Sequence, residues 1–199
     1  MEHTVLQRLL VATNRVQDPL QDAYFRNRNT EVAILNVRYA VPEHLEKPTV
    51  FARMLFLNFS SAFNTLQPHL LMRKLINMDV DPVIIRWLCS FLAHKPQSVV
   101  IRSSFVLEVS SMVRSNTGAP QGCALFTLCT LVCRCSAKDT LLVKFSNNTS
   151  LTGLITSENS YRCAVEKLVG WCRYNYLLLD VSKTKELVVD IRRDPPTFC

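Results

Sequence analysis

Three asparagines end apolar segments at places where acidic residues would make a metal site. Asn58 is the polar residue of the apolar run Met54 to Phe59, and Asn147 with Asn148 lies between the apolar residues at 141–145 and 151–155. Carboxylates there would supply the anionic oxygens that a divalent cation needs. Asparagine offers only a neutral carbonyl oxygen. The three positions therefore indicate a metal site that lacks the negative charges of its ligands. The purely structural alternative is a β-hairpin over 141–155 with Asn147-Asn148 as its tight turn.

The cysteines offer a second metal chemistry, which their spacing disfavours. Eight cysteines are present, four of them Cys123, Cys129, Cys133 and Cys135. Gaps of five, three and one residue are not the paired C-x2-C pattern of a zinc knuckle, and no histidine follows His94. We therefore expect no structural zinc, and instead buried free thiols in a reducing compartment.

A glycine-containing loop and two lysines are further candidates. The segment SNTGAPQGC, from Ser115 to Cys123, holds two of the four glycines and a proline. Glycine lets backbone approach a ligand closely, but a plain turn before an apolar stretch explains the same composition. Lys183 and Lys185 flank a turn near the end of the chain, where the structural alternative is a pair of solvated charges.

Composition limits the function classes. The chain has 199 residues, 48% hydrophobic, with 23 Lys and Arg against 16 Asp and Glu, for a net charge of +7. That balance suits a polyanionic partner without requiring one. No 18-residue apolar run and no apolar N-terminal signal segment occur, so we expect a soluble intracellular protein of cytoplasm or nucleus, without membrane contact.

The elements that position these residues in the first half of the chain follow from periodicity and capping. An amphipathic helix is predicted over Val5 to Ala12, and a second helix begins near Glu31, capped by Asn29 or Thr30, before a loop containing Pro42 and Pro48. A central strand is predicted over Phe51 to Phe59. Helices are predicted from Pro68 and from Asp81-Pro82, where Asp caps and Pro occupies the first turn.

The second half alternates strands with one long helix. Residues 98–102 and 106–110 predict a hairpin, and the hairpin of 141–155 follows. A helix capped by Ser157 or Ser160 runs through Tyr174. Residues 177–180 are extended, and the SKTK turn leads into a final strand, Glu186 to Ile191.

Together these segments resemble the reverse transcriptase of non-LTR, LINE-type retrotransposons. The resemblance runs from about Asp18 to Arg193 in the family order. Its motifs are RNRNTEVAI, RMLFLNFSSAFNTLQPHLL, IIRWLCSFLAHKPQ, NTGAPQGC, VKFSNNTSLTGLI, AVEKLVGWC and LLLDVSKTKELVVDIRR. It implies an α+β fold: a fingers and palm fragment whose antiparallel palm sheet is packed by helices, with no thumb. Residues 1–50 would be a fingers-like segment, and 51–199 a palm-like core with interleaved fingers elements.

The resemblance also assigns roles to residues. Asn58, Asn147 and Asn148 stand where the family has three aspartates that bind two Mg²⁺ ions. Lys183 or Lys185 matches the lysine near the departing pyrophosphate, Arg28 a residue on nucleotide phosphates, and Phe63 the aromatic residue that crowds a ribose 2′-hydroxyl. Gly118, Pro120, Gln121 and Gly122 match the loop that lines the nucleotide and template site.

The departures from the family pattern indicate lost activity. Each missing anion near Mg²⁺ forfeits on the order of several kcal/mol of attraction at an effective dielectric near 20, so no cofactor is expected to bind well. The segment GCALFTLCT is about four residues shorter than the family's GCVLSPLLFTLYT, which affects packing between this loop and the hairpin. An upstream endonuclease domain and a downstream thumb are also missing from the resemblance.

The sequence thus predicts a degenerate, catalytically inactive LINE-type reverse transcriptase domain. The alternative is an exapted module that binds RNA or DNA template-primer without polymerising. A remnant outside selection would also keep this hydrophobic pattern without encoding a stable protein.

Overall fold

The computed structural model of the chain describes residues 2–16, 18–25, 27–47, 50–93, 95–97, 100–102, 107–109, 113–115, 117–118, 122–135, 139–155 and 158–192. Six α-helices lie in these ranges: α1 (Glu2–Ala12), α2 (Thr30–Leu45), α3 (Pro68–Asn77), α4 (Pro82–Leu92), α5 (Gly122–Thr130) and α6 (Glu158–Tyr174). Eight strands accompany them: β1 (Phe51–Asn58), β2 (Lys95–Gln97), β3 (Val100–Arg102), β4 (Leu107–Val109), β5 (Val113–Ser115), β6 (Thr140–Phe145), β7 (Asn148–Ile155) and β8 (Lys185–Val189).

The central element of the fold is a four-stranded antiparallel sheet in the order β6-β7-β1-β8. β1 is a central strand, as its dense apolar run predicts, because it is paired with β7 on one side and β8 on the other. Its register with β7 runs from Phe51 opposite Ile155 to Asn58 opposite Asn148. The sheet therefore brings two residues that are 90 positions apart in the sequence to the same end of neighbouring strands.

The two faces of the sheet are covered by different helices. Alternate strand residues such as Leu57, Leu142 and Leu151 join a main core with apolar residues of α3, α5 and α6. The opposite face, through Ala52 and Met54, packs against α2. Residues 51–58 are thus buried on both sides over most of their length, which explains why β1 shows almost no polar alternation.

Most predicted elements are confirmed within one to three residues at their ends. Asn29 caps α2, its side chain accepting from the Val32 N–H, and Asp81 caps α4, accepting from the Val83 N–H. The β3–β4 hairpin, α3, α6 and β8 also lie where the patterns place them. A second short pair, β2 with β5, was not predicted, because three residues per strand are too few to show alternation.

The prediction of a loop at Pro42 is wrong. α2 continues through Pro42 to Leu45, with Val41 and His44 buried. An internal proline costs a helix about 3 kcal/mol. Packing of Val41 against Ala52 and Met54 on the sheet offsets that cost, and sequence periodicity does not show this packing.

The hairpin of 141–155 is confirmed, but its turn lies one residue earlier than predicted. Phe145 pairs with Asn148, so the two loop residues are Ser146 and Asn147, and Ser146 has the positive φ of 57°. Asn148 is consequently the first residue of β7. Strand register, which the sequence does not fix here, decides this position.

The segment after Cys123, where the resemblance implies a deletion of about four residues, packs beside the hairpin. α5 buries Phe126 and Leu128 in the main core. The Lys144 ammonium of β6 donates to the backbone carbonyl oxygens of Thr130, at 2.9 Å, and of Cys133. The end of α5 and the hairpin are therefore joined directly. No helix in the described ranges is long and apolar enough to cross a membrane.

Candidate functional site

The three asparagines meet at one end of the sheet. Asn58 ends β1, Asn148 begins β7, and the two are register partners, while Asn147 precedes Asn148 in the turn. The Asn58 Nδ2 group donates a hydrogen bond to the Asn148 Oδ1 atom at 3.0 Å. Antiparallel pairing of β1 with the hairpin thus assembles the group that the sequence motifs indicated.

This hydrogen bond defines what the pair can do chemically. Two ionised carboxylates at these positions would have no proton to share, whereas one amide can donate to the other. The bond leaves the Asn58 carbonyl oxygen and the Asn148 amino group for other partners. Neutral oxygens without an accompanying carboxylate do not fit Mg²⁺, which proteins hold through carboxylates and substrate phosphates.

The carboxylate of Asp180 lies beside this end of the sheet, although sequence reasoning gave it no motif position. The Asp180 N–H donates to the backbone carbonyl oxygen of Asn58 at 2.8 Å, next to a bridge between Phe59 and Leu179. Its carboxylate accepts from the Ser182 hydroxyl at 2.6 Å and pairs with Lys183 at 3.2 Å. The Ser182 hydrogen bond, followed by that of Lys183, lowers the pKa of Asp180 below its ordinary value.

The Asp180 carboxylate is thus bonded within its own turn, to Ser182 and Lys183, whereas only the Asp180 backbone N–H contacts Asn58. Across the described ranges, no group of three or more His, Cys, Asp or Glu side chains is arranged to hold a metal ion.

A groove of about 590 Å³ opens beside the asparagine pair, between α2 and the sheet. Asn58, Asn148 and Lys183 contribute polar atoms to it, together with Arg38 of α2. Its apolar walls are Ala33, Ile34, Val37, Phe56, Val143 and Phe145. No local sequence pattern indicates this groove, because its lining comes from α2, β1, β6, β7 and the turn that holds Lys183.

The two lysines of the KTK segment lie on different sides of the turn. Lys183 ends a short 3-10 helix and lines the groove, where its ion pair with Asp180 holds it near Asn58. Lys185 begins β8, opposite Phe56 of β1, and is exposed. Of the two, Lys183 is the one that the structure brings to the asparagine pair.

Arg28 holds a loop of its own chain. Its Nη1 atom donates to the carbonyl oxygens of Pro19 and, at 3.1 Å, Gln21, and pairs with the Asp22 carboxylate at 3.3 Å. Burial raises the pKa of Asp22, and the Arg28 charge opposes that rise. With its side chain 26% exposed, Arg28 is mostly occupied in fixing residues 18–22, and its predicted contact with nucleotide phosphates stays a prediction.

The chain at Gly118 packs against the backbone of Phe63 and Asn64. The Phe63 ring meets Phe126 edge-on, with centroids 5.8 Å apart. Gly118 has φ +79° and donates its N–H to the Leu66 carbonyl oxygen at 2.8 Å. A Cβ at Gly118 would lie 3.1 Å from the Asn64 Cα atom, so the glycine permits a close approach to the chain beside Phe63.

The rest of the predicted glycine loop is described only in part. Pro120 and Gln121 lie outside the described residues, and Gly122 is the first residue of α5. Their predicted contacts with nucleotide and template therefore stay predictions.

A buried ion pair behind the site was missed by sequence reasoning. The Lys144 Nζ atom lies 2.6 Å from the Asp18 Oδ2 atom, with side chains 2% and 7% exposed. Burial lowers the pKa of Lys144, and the Asp18 charge opposes that shift. The signal available was a lone lysine in the apolar run 141–145, which must find a partner if the strand is buried.

Comparison with solved structures identifies the fold. The chain is similar to apo telomerase from Candida tropicalis truncated from its C-terminal domain, with TM-score 0.64 and 12% identity over 96% of this chain and 41% of that one. It is also similar to telomerase from Candida albicans in complex with a TWJ fragment of telomeric RNA, with TM-score 0.59 and 11% identity over 100% of this chain and 36% of that one. No model of a known protein family and no curated protein sequence matches the chain.

The chain thus spans less than half the length of these telomerase chains. At such low identity the likeness shows the fold alone. The chain therefore shares its fold with part of these telomerase chains. Its helices and four-stranded antiparallel sheet confirm the α+β class that the sequence predicts.

Proposed function

We propose that this chain is a degenerate reverse transcriptase domain of a LINE-type retrotransposon that has lost polymerase activity. The observation that carries the proposal is the hydrogen bond between Asn58 and Asn148. It lies where the central strand meets the hairpin, the place at which the resemblance puts metal-binding aspartates. The reverse-transcriptase-like fold supports the family, and the seven motifs support the LINE origin.

The physical argument for inactivity is electrostatic. Phosphoryl transfer by two metal ions needs anionic ligands to hold the cations and compensate their charge. Replacing three carboxylates by amides removes three negative charges from one site, each contributing on the order of several kcal/mol near a dication. The remaining amides also bond to each other, which uses one of their two carbonyl oxygens.

The domain division proposed with this function follows the same resemblance. Residues 1–50, containing α1 and α2, form a fingers-like segment. Residues 51–199 form a palm-like core around the four-stranded sheet, with the short β2–β5 and β3–β4 pairs as interleaved fingers elements. The placement of α2 against the sheet supports a fingers segment that lies next to the palm.

Primer extension tests the loss of activity. The purified chain is incubated with an annealed RNA template and DNA primer, all four deoxynucleotides and Mg²⁺ or Mn²⁺. We expect no extension above that of a heat-denatured sample. An active reverse transcriptase run in parallel shows that the template and nucleotides are competent. Template-dependent synthesis by the purified chain would contradict the proposal.

A second candidate function is nucleic-acid binding without polymerisation. The net charge of +7 and the exposed lysines at the asparagine end of the sheet favour it. Lysines that neutralise phosphates release counterions from the nucleic acid. The logarithm of the binding constant therefore falls linearly with the logarithm of the salt concentration. Two of the telomerase structures that resemble this chain contain a telomeric RNA fragment, which makes RNA a reasonable probe.

Salt-dependent binding to a template-primer duplex tests this candidate. The variant Lys183→Ala/Lys185→Ala should reduce the salt slope by about 2 if both lysines contact phosphate. Arg28 is a poor choice, because its loss would release the 18–22 loop. The matched control Arg162→Ala/Lys167→Ala removes the same charge from exposed positions of α6, on the other face of the sheet, and should keep the wild-type slope. Equal slopes for both variants would count against a specific interface.

A further inference from the structure

The groove beside the asparagine pair has apolar walls that nothing covers in the described part of the chain. Ile34 of α2 is 62% exposed and Phe56 of β1 is 42% exposed, although both line the same depression. Exposed apolar side chains facing one another across a groove are unfavourable in water unless a ligand covers them. At about 590 Å³ the groove falls within the size range of small-molecule sites.

The two charged side chains that line this groove are both cationic. Arg38 and Lys183 line it, and no acidic side chain does so among the described residues. Lys183 forms an ion pair with Asp180. Arg38 is exposed and makes no ion pair with any residue that the structure describes. An anionic group entering the groove would therefore meet a guanidinium that is available to bind it.

The asparagines make the groove compatible with an anion. Carboxylates at positions 58 and 148 would repel a negative charge held a few Å away. The Asn148 amino group makes no hydrogen bond in the described structure, and it can donate one to an anionic oxygen. The substitutions that remove a cation site thus leave an apolar, positively charged one.

We propose that this groove binds a small amphipathic monoanion, with its apolar body between α2 and the sheet and its anionic group at Arg38 and Lys183. The fit rests on charge complementarity and on the exposed apolar walls. Binding of this anion goes beyond the proposed function and does not depend on that function, because it requires neither nucleic acid nor metal.

Calorimetry with dodecanoate, below its micelle concentration, tests the proposal, and dodecanol is the uncharged comparison. We expect saturable binding of one dodecanoate per chain and weaker binding of dodecanol. Arg38→Gln should weaken dodecanoate binding about 10-fold, the lower end of what a charge-assisted hydrogen bond contributes, and should leave dodecanol binding unchanged. These outcomes are independent of primer extension, so failure here is distinguishable from failure of the proposed function.

Two aspartate substitutions distinguish the groove from other apolar surface. Ile34→Asp places a charge within the groove and should abolish dodecanoate binding. Val83→Asp places the same charge at a residue that is 70% exposed on α4, outside the groove, and should keep wild-type affinity. Equal affinity for dodecanoate and dodecanol, no saturable binding, or retained binding by Ile34→Asp would overturn the proposal. Because Arg38 is exposed, the Arg38→Gln result stands even if Ile34→Asp unfolds.

Discussion

Asn58 and Asn148, which stand where the resemblance places metal ligands, occupy the sheet without strain and cost the fold little. Each occupies a regular strand position, and the hydrogen bond between them joins β1 to β7 at the open end of the sheet. The turn itself depends on Ser146, whose φ is 57°, rather than on either asparagine. Structural and catalytic requirements at these positions are therefore separable.

If the proposed function is right, placing carboxylates at the three asparagine positions should create a cation site. The variant Asn58→Asp/Asn147→Asp/Asn148→Asp should melt at a lower temperature than wild type without metal, because three like charges then share one site. With about 10 mM Mg²⁺ the variant should gain about 1.4 kcal/mol of stability if the Kd is about 1 mM. Thermal denaturation with Mg²⁺ and with EDTA measures this gain.

The wild-type chain is the control for that experiment, and its melting temperature should not depend on Mg²⁺. A wild-type chain stabilised as much as the variant would show that the amides bind the cation. That result would remove the electrostatic basis of the proposed inactivity.

The buried pair of Lys144 and Asp18 gives a second prediction at the scale of single residues. Lys144→Met leaves the Asp18 carboxylate buried without its counter-charge and should cost about 3–5 kcal/mol of unfolding free energy. Asp18→Asn/Lys144→Met should cost less than that single change, since no charge is then buried. The amide introduced at position 18 also keeps an oxygen that can accept from the Leu20 N–H, as the Asp18 carboxylate does at 3.1 Å.

Urea denaturation of the two variants and the wild type measures the difference. If the double variant is as unstable as Lys144→Met, the cost comes from the lost bonds to the Thr130 and Cys133 carbonyl oxygens. The charge argument would then fail.

At the scale of elements, α6 lies against the sheet at a glycine. A Cβ at Gly153 of β7 would lie 2.4 Å from the Tyr161 ring of α6 and 2.9 Å from the Ile155 side chain. Tyr161 is buried and cannot yield easily, because its hydroxyl is also bonded to the Glu186 carboxylate of β8 at 2.7 Å. The absence of a side chain at this position sets the distance between α6 and the sheet.

Two glycine substitutions of opposite expected sign test this packing. Gly153→Ala should lower the unfolding free energy by about 1–3 kcal/mol, the usual cost of overpacking a core. Gly170→Ala, within α6, should raise it by about 1 kcal/mol through helix propensity, because beyond the helix's own nearby backbone no atom lies within 4 Å of the new Cβ. Chemical denaturation of both variants decides the matter, and a neutral Gly153→Ala would show that α6 moves freely.

At the scale of the whole molecule, the main core holds two thiols whose titration opposes folding. Burial raises the pKa of Cys133 from 9.0 to about 11 and that of Cys172 from 9.0 to about 12. Between pH 9.0 and these values the unfolded chain releases protons that the folded chain keeps. The two thiols should therefore lower global stability as pH rises above about 9, by up to about 1.4 kcal/mol per pH unit for each thiol.

Urea denaturation at about pH 8 and about pH 10, under reducing conditions, measures this loss. Cys172→Val removes one of the thiols and should make the loss smaller. Cys163→Ala removes an exposed thiol of the same helix and should not change it. An unchanged pH dependence in Cys172→Val would mean that the alkaline loss has another source.

The sequence by itself determined the elements and the family resemblance of this protein. Capping at Asn29 and Asp81, the dense apolar run of β1 and the hairpin of 141–155 all depend on residues close together in the chain. Local propensity and patterning suffice for such features. The identity of the three asparagines, and hence the missing charges, is likewise a property of the sequence.

Only the tertiary structure decided how these parts meet. Contacts between distant segments set the strand register that pairs Asn58 with Asn148 and the continuation of α2 through Pro42. They also set the burial of Lys144 against Asp18 and the groove between α2 and the sheet. Their energies come from packing and desolvation, which depend on what lies across the core. The residues next to a position in the sequence do not indicate which distant segment packs against it.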